Sequence, residues 1–199
     1  MSGVQIPPPL PLSTGSDFIT GGIMDKAIFA GGCFWCTEAV FLQLKGVYKV
    51  VSGYIGGNIS SPTYEMICSG STGHVEAIEI TFKSSEITYK TLLEVFFNTH
   101  DPTQLNGQGN DIGSQYLSMI FFNSDSQKNE ANDYMDSIDD NYESPIVTKL
   151  YAVKEFYPAE DYQHNYYNLN KNQPYCEIVI NPKMSKFREN YKNLLKTNS

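Results

Sequence analysis

The chain has 199 residues, which suits a single domain with a sizeable core. Its hydrophobic fraction of 41% and aromatic fraction of 13% indicate a globular protein and exclude a disordered one. A net charge of −8 argues against a nucleic-acid partner, which would usually require a basic face. No apolar run reaches the roughly 18 residues of a membrane span, and no signal-peptide pattern begins the chain. Four cysteines are too few for a disulfide scaffold, so we expect a reducing compartment and a cytoplasmic protein.

The first 23 residues differ from the rest in composition. Four prolines lie between Pro7 and Pro11, and a stretch rich in serine, threonine and glycine follows. This composition favours an extended polyproline conformation and then a flexible linker. We therefore expect a flexible leader or expression tail over residues 1–23 and a single domain over residues 24–199. A binding module whose proline-rich leader recruits a partner is an alternative.

The core alternates predicted strands and helices in the order β-α-β-β-α-β. Apolar residues recur at helical spacing in two stretches, while four others are rich in β-forming residues. The predicted strands are 26–30, 47–54, 75–82 and 116–122, and the predicted helices are 37–44 and 89–100, with a short helix at 63–69. This order is the split-βαβ, ferredoxin-like arrangement, so the predicted fold class is α+β.

C-terminal helical and strand additions are predicted to follow this core. They comprise a polar helix at 126–141, a strand at 148–153, a loop around Tyr157, a helix from Asp161, a strand at 176–180 and a basic helix from Lys183.

Residues 31–36 read Gly-Gly-Cys-Phe-Trp-Cys and join the first predicted strand to the first predicted helix. A cysteine that opens a helix experiences partial positive charge and free N–H groups, which favour the thiolate. The two glycines permit a sharp turn and close approach of a substrate. Phe34 and Trp35 could form the wall of a small apolar pocket. Cys33 is therefore a candidate nucleophile, and a buried structural cysteine is the alternative.

Cys33 and Cys36 also have the spacing of a dithiol redox site. A thioredoxin-like oxidoreductase is therefore a rival interpretation, although the later β-β-α-β order and the glycine pair do not fit that family. A zinc site would need a second closely spaced pair, and neither Cys68 with His74 nor Cys176 alone provides one.

Four further polar residues are candidates for chemistry. Glu76 begins an apolar strand, and burial beside the aromatic pair would raise its pKa and keep it protonated near neutral pH. Tyr64 and Tyr116 could donate hydroxyl hydrogen bonds to an oxygen atom. Asp111 lies in a loop rich in glycine and could orient its neighbours. Ordinary packing and turn formation are the alternatives for all four.

Several motifs together resemble the peptide methionine sulfoxide reductase A family. They are Gly-Cys-Phe-Trp at 32–35, Gly-His-Val-Glu-Ala at 73–77, His-Asp-Pro at 100–102, Gly-Asn-Asp-Ile-Gly-Ser-Gln-Tyr at 109–116 and Pro-Ala-Glu-Asp-Tyr-Gln at 158–163. The resemblance runs from about residue 26 to 182. It implies an α/β roll with a ferredoxin-like core, a single catalytic domain over 24–199, and reduction of the S epimer of methionine sulfoxide without metal or flavin. It also implies protein repair, with the oxidised enzyme recycled by thioredoxin or a similar thiol; we expect a monomer.

The resemblance also implies residue roles. Cys33 would attack the sulfoxide sulfur, Glu76 would donate the proton, and the Tyr64 and Tyr116 hydroxyls would hold the oxygen. Asp111 would support the site from its loop.

Phe34 and Trp35 would hold the methyl group of the substrate. Methionine would then leave, and Cys33 would become a sulfenic acid that a second thiol converts to a disulfide.

The sequence departs from the commoner family pattern at the second thiol. Many members have glycine where this chain has Cys36, and a glycine-rich tail around their recycling cysteines. Cys176 lies at the approximate place of such a cysteine but in a run that reads as a strand. Cys36, Cys176 and direct reduction by an external thiol all stay open as resolving routes, whereas Cys68 is expected to be structural.

Overall fold

The computed structural model describes residues 23–197. The predicted leader at residues 1–23 lies outside this range, apart from Ile23. Within residues 23–197, no helix combines the length and the apolar character needed to cross a membrane.

The described chain is a mixed α/β structure built on one large sheet. Its strands are β1 (Met24–Ala30), β2 (Val47–Ile55), β3 (Val75–Lys83), β4 (Gly107–Gln108), β5 (Asp111–Ile112), β6 (Met119–Phe122), β7 (Lys149–Ala152) and β8 (Tyr157–Pro158). Its α-helices are α1 (Phe34–Phe41), α2 (Tyr64–Cys68), α3 (Tyr89–Thr99), α4 (Asp125–Ile138), α5 (Tyr166–Leu169) and α6 (Asn181–Asn190). Short 3-10 turns lie at Ser114–Tyr116, Asp139–Asn141, Asp161–Gln163 and Lys192–Leu194.

The large sheet has six strands in the order β7-β6-β1-β3-β2-β8. The pairs β1–β3, β1–β6, β2–β3 and β2–β8 are antiparallel, and β6–β7 is parallel. β4 and β5 form a separate two-stranded hairpin. The prediction of mixed helices and strands is confirmed, with a mostly antiparallel sheet.

The main core lies between one face of this sheet and the helices. On β3, Ile78, Ile80 and Phe82 belong to this core, whereas Val75 and Ala77 belong to the smaller cluster on the opposite face. Because side chains alternate between the faces of a strand, Glu76 shares the face of Ile78. The Glu76 carboxyl group therefore lies between the sheet and the helices, and the residue is 2% exposed.

Helix α3 supplies the apolar stripe that its sequence predicted. Leu92, Leu93, Val95, Phe96 and Phe97 are all buried. The side chain of Thr88 caps its first turn by accepting from the backbone N–H of Thr91 at 3.1 Å, which is a common way to satisfy a free N–H at a helix start.

Several predicted elements have other boundaries in the structure. α1 begins at Phe34, three residues before the prediction, so Cys33 is its N-cap residue. The fourth predicted strand begins at Met119 because Ser114–Tyr116 forms a 3-10 turn. The predicted loop around Tyr157 contains a short edge strand, β8, which pairs with β2.

The prediction of a strand at residues 176–180 is wrong. Cys176–Ile180 is one turn of π-helix that runs directly into α6. Cys176 and Ile180 are both fully buried, whereas Ile178 between them is 75% exposed. A strand would have buried all three on one face, so the packing of residues four apart has overridden the β propensity of this run.

Candidate active site

Cys33 lies where β1 ends and α1 begins, and two glycines make the turn that separates them. Gly32 has φ +87°, in the left-handed region that favours glycine. A Cβ atom on Gly31 would approach the Phe96 ring to 2.7 Å, and one on Gly32 would approach Gln108 to 2.6 Å. Cys33 is 8% exposed, and its carbonyl accepts from the N–H of Cys36 at 3.1 Å. The prediction of a cysteine at a helix start is confirmed.

Glu76 reaches the first turn of this helix from β3. Its Oε2 atom accepts a hydrogen bond from the backbone N–H of Phe34 at 3.0 Å. Burial raises the pKa of Glu76 to about 8, the bond from Phe34 opposes the shift, and the charges of Asp111 and Cys36 add to it. Glu76 is therefore mostly protonated at neutral pH and can donate a proton.

Cys33 and Cys36 lie one helical turn apart, and a hydrogen bond between their thiols shifts the pKa of both. Burial raises the pKa of Cys33, and the bond to Cys36 and the charge of Glu76 raise it further. The bond from Cys33 lowers the pKa of Cys36 to about 7, and the charge of Lys183 contributes in the same direction. Cys36 is thus the thiol of the pair that ionises first, which the position of Cys33 at the helix start did not predict.

Trp35 is half-buried beside this pair and is held from two sides. Its indole lies on the Tyr166 ring, with centroids 3.8 Å apart and planes within 9°. Its Nε1–H donates to Oε1 of Gln163 at 2.9 Å. Phe34 is fully buried, with its ring 5.8 Å from that of Tyr54, so it faces the core more than Trp35 does.

Tyr64 and Tyr116 are half-buried, and burial raises the pKa of both hydroxyls. The charge of Glu76 contributes to both shifts, which indicates that both hydroxyls lie near that carboxyl. Both therefore stay protonated and can donate hydrogen bonds. Glu160 accepts from the Tyr64 backbone N–H at 2.8 Å and from the Tyr54 hydroxyl at 2.9 Å, which fixes the start of α2.

Asp111 lies on the Cys36 side of the site. Its Oδ2 atom accepts from the Tyr175 hydroxyl at 2.6 Å, and that hydroxyl is 3.9 Å from Cys36 Sγ. A cavity of about 530 Å³ opens here. Its lining residues are Cys33, Cys36, Gln108, Gly109, Asn110, Asp111, Tyr175, Ile178, Val179 and Lys183.

The structure gives the remaining cysteines different surroundings. Cys176 is fully buried, and burial followed by the charge of Cys36 raises its pKa. Cys68 is exposed, and its side chain hydrogen-bonds with that of Tyr64. Across residues 23–197, no three His, Cys, Asp or Glu side chains are grouped so as to hold a metal ion.

The predicted site residues thus converge, with two exceptions. The residues that lie around one region are Cys33, Cys36, Glu76, Tyr64, Tyr116, Asp111 and Trp35. Phe34 faces the core, and Cys176 is fully buried. Four supporting residues were not assigned a role from the sequence, namely Glu160, Gln163, Tyr175 and Lys183. Glu160 and Gln163 lie in the recognised motif at 158–163, and Tyr175 directly precedes Cys176. Their positions in the sequence could therefore have indicated that these three residues belong to the site.

Comparison with known proteins identifies the family. A family model described as peptide methionine sulfoxide reductase matches residues 25–195. The chain belongs to the peptide methionine sulfoxide reductase family. Members of this family are oxidoreductases that reduce the S epimer of methionine sulfoxide to methionine, and this chain is one of them.

Relatives and solved structures agree with this membership. The peptide methionine sulfoxide reductase MsrA of Chromobacterium violaceum is 51% identical over 174 residues, covering 86% of this chain and 99% of the relative. The crystal structure of Mxr1 from Saccharomyces cerevisiae in reduced form has a TM-score of 0.71 at 30% identity, covering 77% of this chain and 89% of that one. A second structure, Mxr1 in complex with Trx2, shares the fold, with a TM-score of 0.51 at 22% identity over 72% of this chain and 84% of that one.

Proposed function

We propose that Cys33 is the nucleophile of the reduction and that Glu76 is its proton donor. Cys33 attacks the sulfoxide sulfur, which becomes electrophilic once its oxygen is protonated or hydrogen-bonded. The Tyr64 and Tyr116 hydroxyls hold that oxygen. Methionine leaves, and the oxygen is transferred to Cys33, which becomes a sulfenic acid. The proton lost by the Cys33 thiol replaces the one that Glu76 gave to the oxygen.

The hydrogen bond between Glu76 and the Phe34 N–H carries this proposal. It joins a buried acid to the residue directly after Cys33. Because the pKa of Glu76 is raised to about 8, the acid holds its proton at neutral pH beside the attacking thiol. A solvent-facing glutamate on the same strand would be ionised and could not take this role.

Trp35 forms the wall that receives the substrate methyl group, and the fully buried Phe34 supports the indole from the core side. The stacking on Tyr166 and the bond to Gln163 hold the indole in one orientation. A fixed apolar wall opposite fixed hydroxyl donors distinguishes the two sulfoxide epimers, because only one epimer matches methyl and oxygen to both.

Recycling uses a second thiol, and Cys36 is better supported than Cys176. Cys36 hydrogen-bonds with Cys33 and ionises near pH 7, whereas Cys176 is fully buried within the π-helical turn. We propose that a Cys33–Cys36 disulfide forms and that thioredoxin or a similar thiol reduces it by exchange. The crystal structure of Mxr1 in complex with Trx2 shows such a partner bound to Mxr1, and we propose a thioredoxin partner for this chain by analogy.

A single-turnover experiment tests the assignments. Reduced enzyme is mixed with an S-sulfoxide peptide without reductant, methionine is counted per enzyme, and disulfides are mapped by mass spectrometry. Cys33→Ser should form no methionine, whereas Tyr167→Phe, which removes a hydroxyl bond to Asn181 away from the cavity, should complete one turnover. Methionine formation by Cys33→Ser would remove Cys33 as the nucleophile, and a Cys33–Cys176 bond would reassign the resolving residue.

General dithiol oxidoreduction is the second candidate, because the two thiols on α1 hydrogen-bond to each other. This function predicts reduction of insulin disulfides at a rate that Glu76→Gln leaves unchanged. The placement of a protonated acid beside Cys33 favours the sulfoxide reaction, since disulfide exchange needs no buried acid at that position.

We also propose three broader properties. The strand order β6-β1-β3-β2 with its antiparallel pairs supports a ferredoxin-like core within the sheet. Residues 24–199 form one catalytic domain that acts as a monomer, and size-exclusion chromatography with light scattering tests this. The need to keep Cys33 and Cys36 reduced supports a reducing compartment such as the cytoplasm.

A further inference from the structure

Tyr175 stands between Cys36 and Asp111 at the wall of the 530 Å³ cavity. Its hydroxyl donates to Asp111 Oδ2 at 2.6 Å and lies 3.9 Å from Cys36 Sγ. A phenol has one proton to donate, and here that proton is directed at the carboxylate. The hydroxyl oxygen can therefore accept from the Cys36 thiol, so that thiol, hydroxyl and carboxylate form a directed chain.

This hydrogen-bond chain shares its cavity with Cys33 but not with the group proposed to protonate the sulfoxide oxygen or the one proposed to hold its methyl group. Neither Glu76 nor Trp35 lines the cavity, whereas Cys36, Tyr175 and Asp111 all do. The sulfoxide step has its own proton donor in Glu76. The hydrogen-bond chain from Cys36 to Asp111 is therefore available for the step in which Cys36 reacts.

We propose that Tyr175 and Asp111 receive the proton of the Cys36 thiol when Cys36 attacks the sulfenic acid of Cys33. This inference rests on the proposed function, because the sulfenic acid is the product of that reaction. It makes Tyr175 the hydrogen-bond partner of the attacking thiol. Asp111 is the final acceptor of the proton. It acts through Tyr175 and does not touch the reacting sulfur atoms, so it is a positioning residue.

The step balances in atoms and electrons. The S–H bond of Cys36 and the S–O bond of Cys33 break, and one S–S bond forms. The Cys36 sulfur is oxidised and the Cys33 sulfur is reduced. The thiol proton passes through Tyr175 to Asp111, and the departing oxygen takes a proton from Glu76 and leaves as water. Exchange with solvent then restores both carboxyl groups.

Several charged or titratable groups surround Cys36, and they define the alternatives. They are Cys33 on its own helix, Glu76 on β3, Asp111 on β5, Tyr175 and Cys176 at the π-helical turn, and Lys183 on α6. If Asp111 acted only through its charge, its loss would favour the Cys36 thiolate and speed the disulfide. If the Tyr175 hydroxyl acted only by lowering the pKa of Cys36, Tyr175→Phe would slow the disulfide at low pH, but Asp111→Asn would not. If Tyr175 only packed edge-on against Trp35, with centroids 5.8 Å apart, the loss of its hydroxyl would have no effect that depends on pH.

The test measures the two steps separately in a single turnover without reductant. Methionine reports the first step, and a 1,3-dione that labels sulfenic acid, with mass spectrometry of the disulfide, reports the second. The variants are Tyr175→Phe and Asp111→Asn. The matched control is Tyr167→Phe, which removes a hydroxyl bond of 2.7 Å to Asn181 away from the cavity.

Both variants should slow disulfide formation and accumulate labelled sulfenic acid at about pH 6. The expected loss in the rate of disulfide formation is about tenfold. A thiol with a pKa of about 7 is roughly one-tenth ionised at that pH, and only this ionised fraction reacts without a proton acceptor. The loss should shrink below about twofold near pH 9, where the thiol ionises by itself. Tyr167→Phe should follow the wild type at both pH values.

Each other outcome is decisive. If the wild type forms no methionine, the proposed function fails. If methionine forms but both variants close the disulfide at the wild-type rate, the relay is wrong and the proposed function stands. A slowing that is equal at both pH values, or a faster disulfide in Asp111→Asn, overturns the relay as well. A disulfide without Cys36 also overturns it.

Discussion

The indole N–H of Trp35 donates to the side-chain oxygen of Gln163 at 2.9 Å, across 128 residues of sequence. Gln163 is 1% exposed, so its replacement by leucine leaves the indole N–H without its partner. We expect Gln163→Leu to raise KM several-fold with a smaller change in kcat and to narrow the preference for the S epimer. Kinetics with separated S and R sulfoxides measure both effects.

Gln43→Leu is the matched control for this change. It breaks a bond of 3.0 Å from Arg188 Nε, away from the site. If Gln163→Leu keeps the wild-type KM and epimer preference while Gln43→Leu behaves identically, Trp35 does not depend on Gln163.

The pH dependence of the first step should follow Glu76. A proton donor with a pKa of about 8 loses its proton as pH rises, so methionine formation in a single turnover should fall above about pH 8. Glu76→Gln should be slower by roughly 100-fold and should lack this falling limb. An unchanged rate or an unchanged alkaline limb in the variant argues against Glu76 as the acid.

Glu76 should also make folding stability depend on pH. Its pKa rises from 4.5 to about 8 on folding, so the folded state binds this proton more tightly than the unfolded state. The stabilising contribution is fully present below about pH 4.5 and decreases by about 1.4 kcal/mol per pH unit until about pH 8. The free energy of unfolding of the wild type, measured in urea, should fall relative to Glu76→Gln across this window. Parallel curves would contradict the raised pKa.

Glu160 should affect activity through the tyrosine that it holds. Its two oxygens accept from the Tyr64 backbone N–H and the Tyr54 hydroxyl. We expect Glu160→Ala to lower kcat/KM by about tenfold, since misplacing an oxygen-binding hydroxyl weakens transition-state binding.

The control for this variant is Glu86→Ala, which removes an exposed carboxylate that accepts from the Tyr48 hydroxyl at 2.9 Å. It should retain wild-type kcat/KM. Equal activities for both variants would separate Glu160 from catalysis.

A side chain at Gly32 should destabilise the turn before Cys33. Its φ of +87° is unfavourable for other residues, and a Cβ would meet Gln108, which is held by bonds to the N–H and carbonyl of Asp101. We expect Gly32→Ala to cost about 1–3 kcal/mol of stability and to slow attack by Cys33.

Gly109→Ala separates the two causes. Gly109 has φ +62°, and a Cβ atom added there would meet no atom of residues 23–197 within 4 Å, so this variant incurs backbone strain alone. Thermal unfolding should give the larger loss for Gly32→Ala. A larger loss for Gly109→Ala would show that the contact with Gln108 is unimportant.

Local sequence rules predicted the parts of the site that depend on neighbouring residues. The turn at residues 31–36 has a strand before it, a helix after it and glycines between them, so the position of Cys33 followed from backbone preferences. Alternation along β3 allowed Glu76 to face the core, but which face carries the helices is a tertiary property. Its burial therefore stayed an expectation until the sheet was known.

The parts that the sequence did not predict depend on contacts between distant segments. The bonds of Trp35 to Gln163 and of Tyr175 to Asp111 join residues 128 and 64 positions apart. No periodicity encodes such pairs. The run at Cys176–Ile180 was mistaken for a strand because β-branched residues dominate it, and only the packing against the main core selects the helical turn.

Helix α1 has no side-chain cap of its own, since Cys33 makes no capping hydrogen bond. The first N–H of the helix is satisfied instead by Glu76, which is 42 positions away. One carboxyl group is therefore both the cap of the helix and the proton reservoir of the reaction. After it gives up its proton, its negative charge rests at the positive end of the helix, which stabilises the spent acid. A molecule that has completed the first turn of α1 has, by the same contact, positioned its acid beside Cys33.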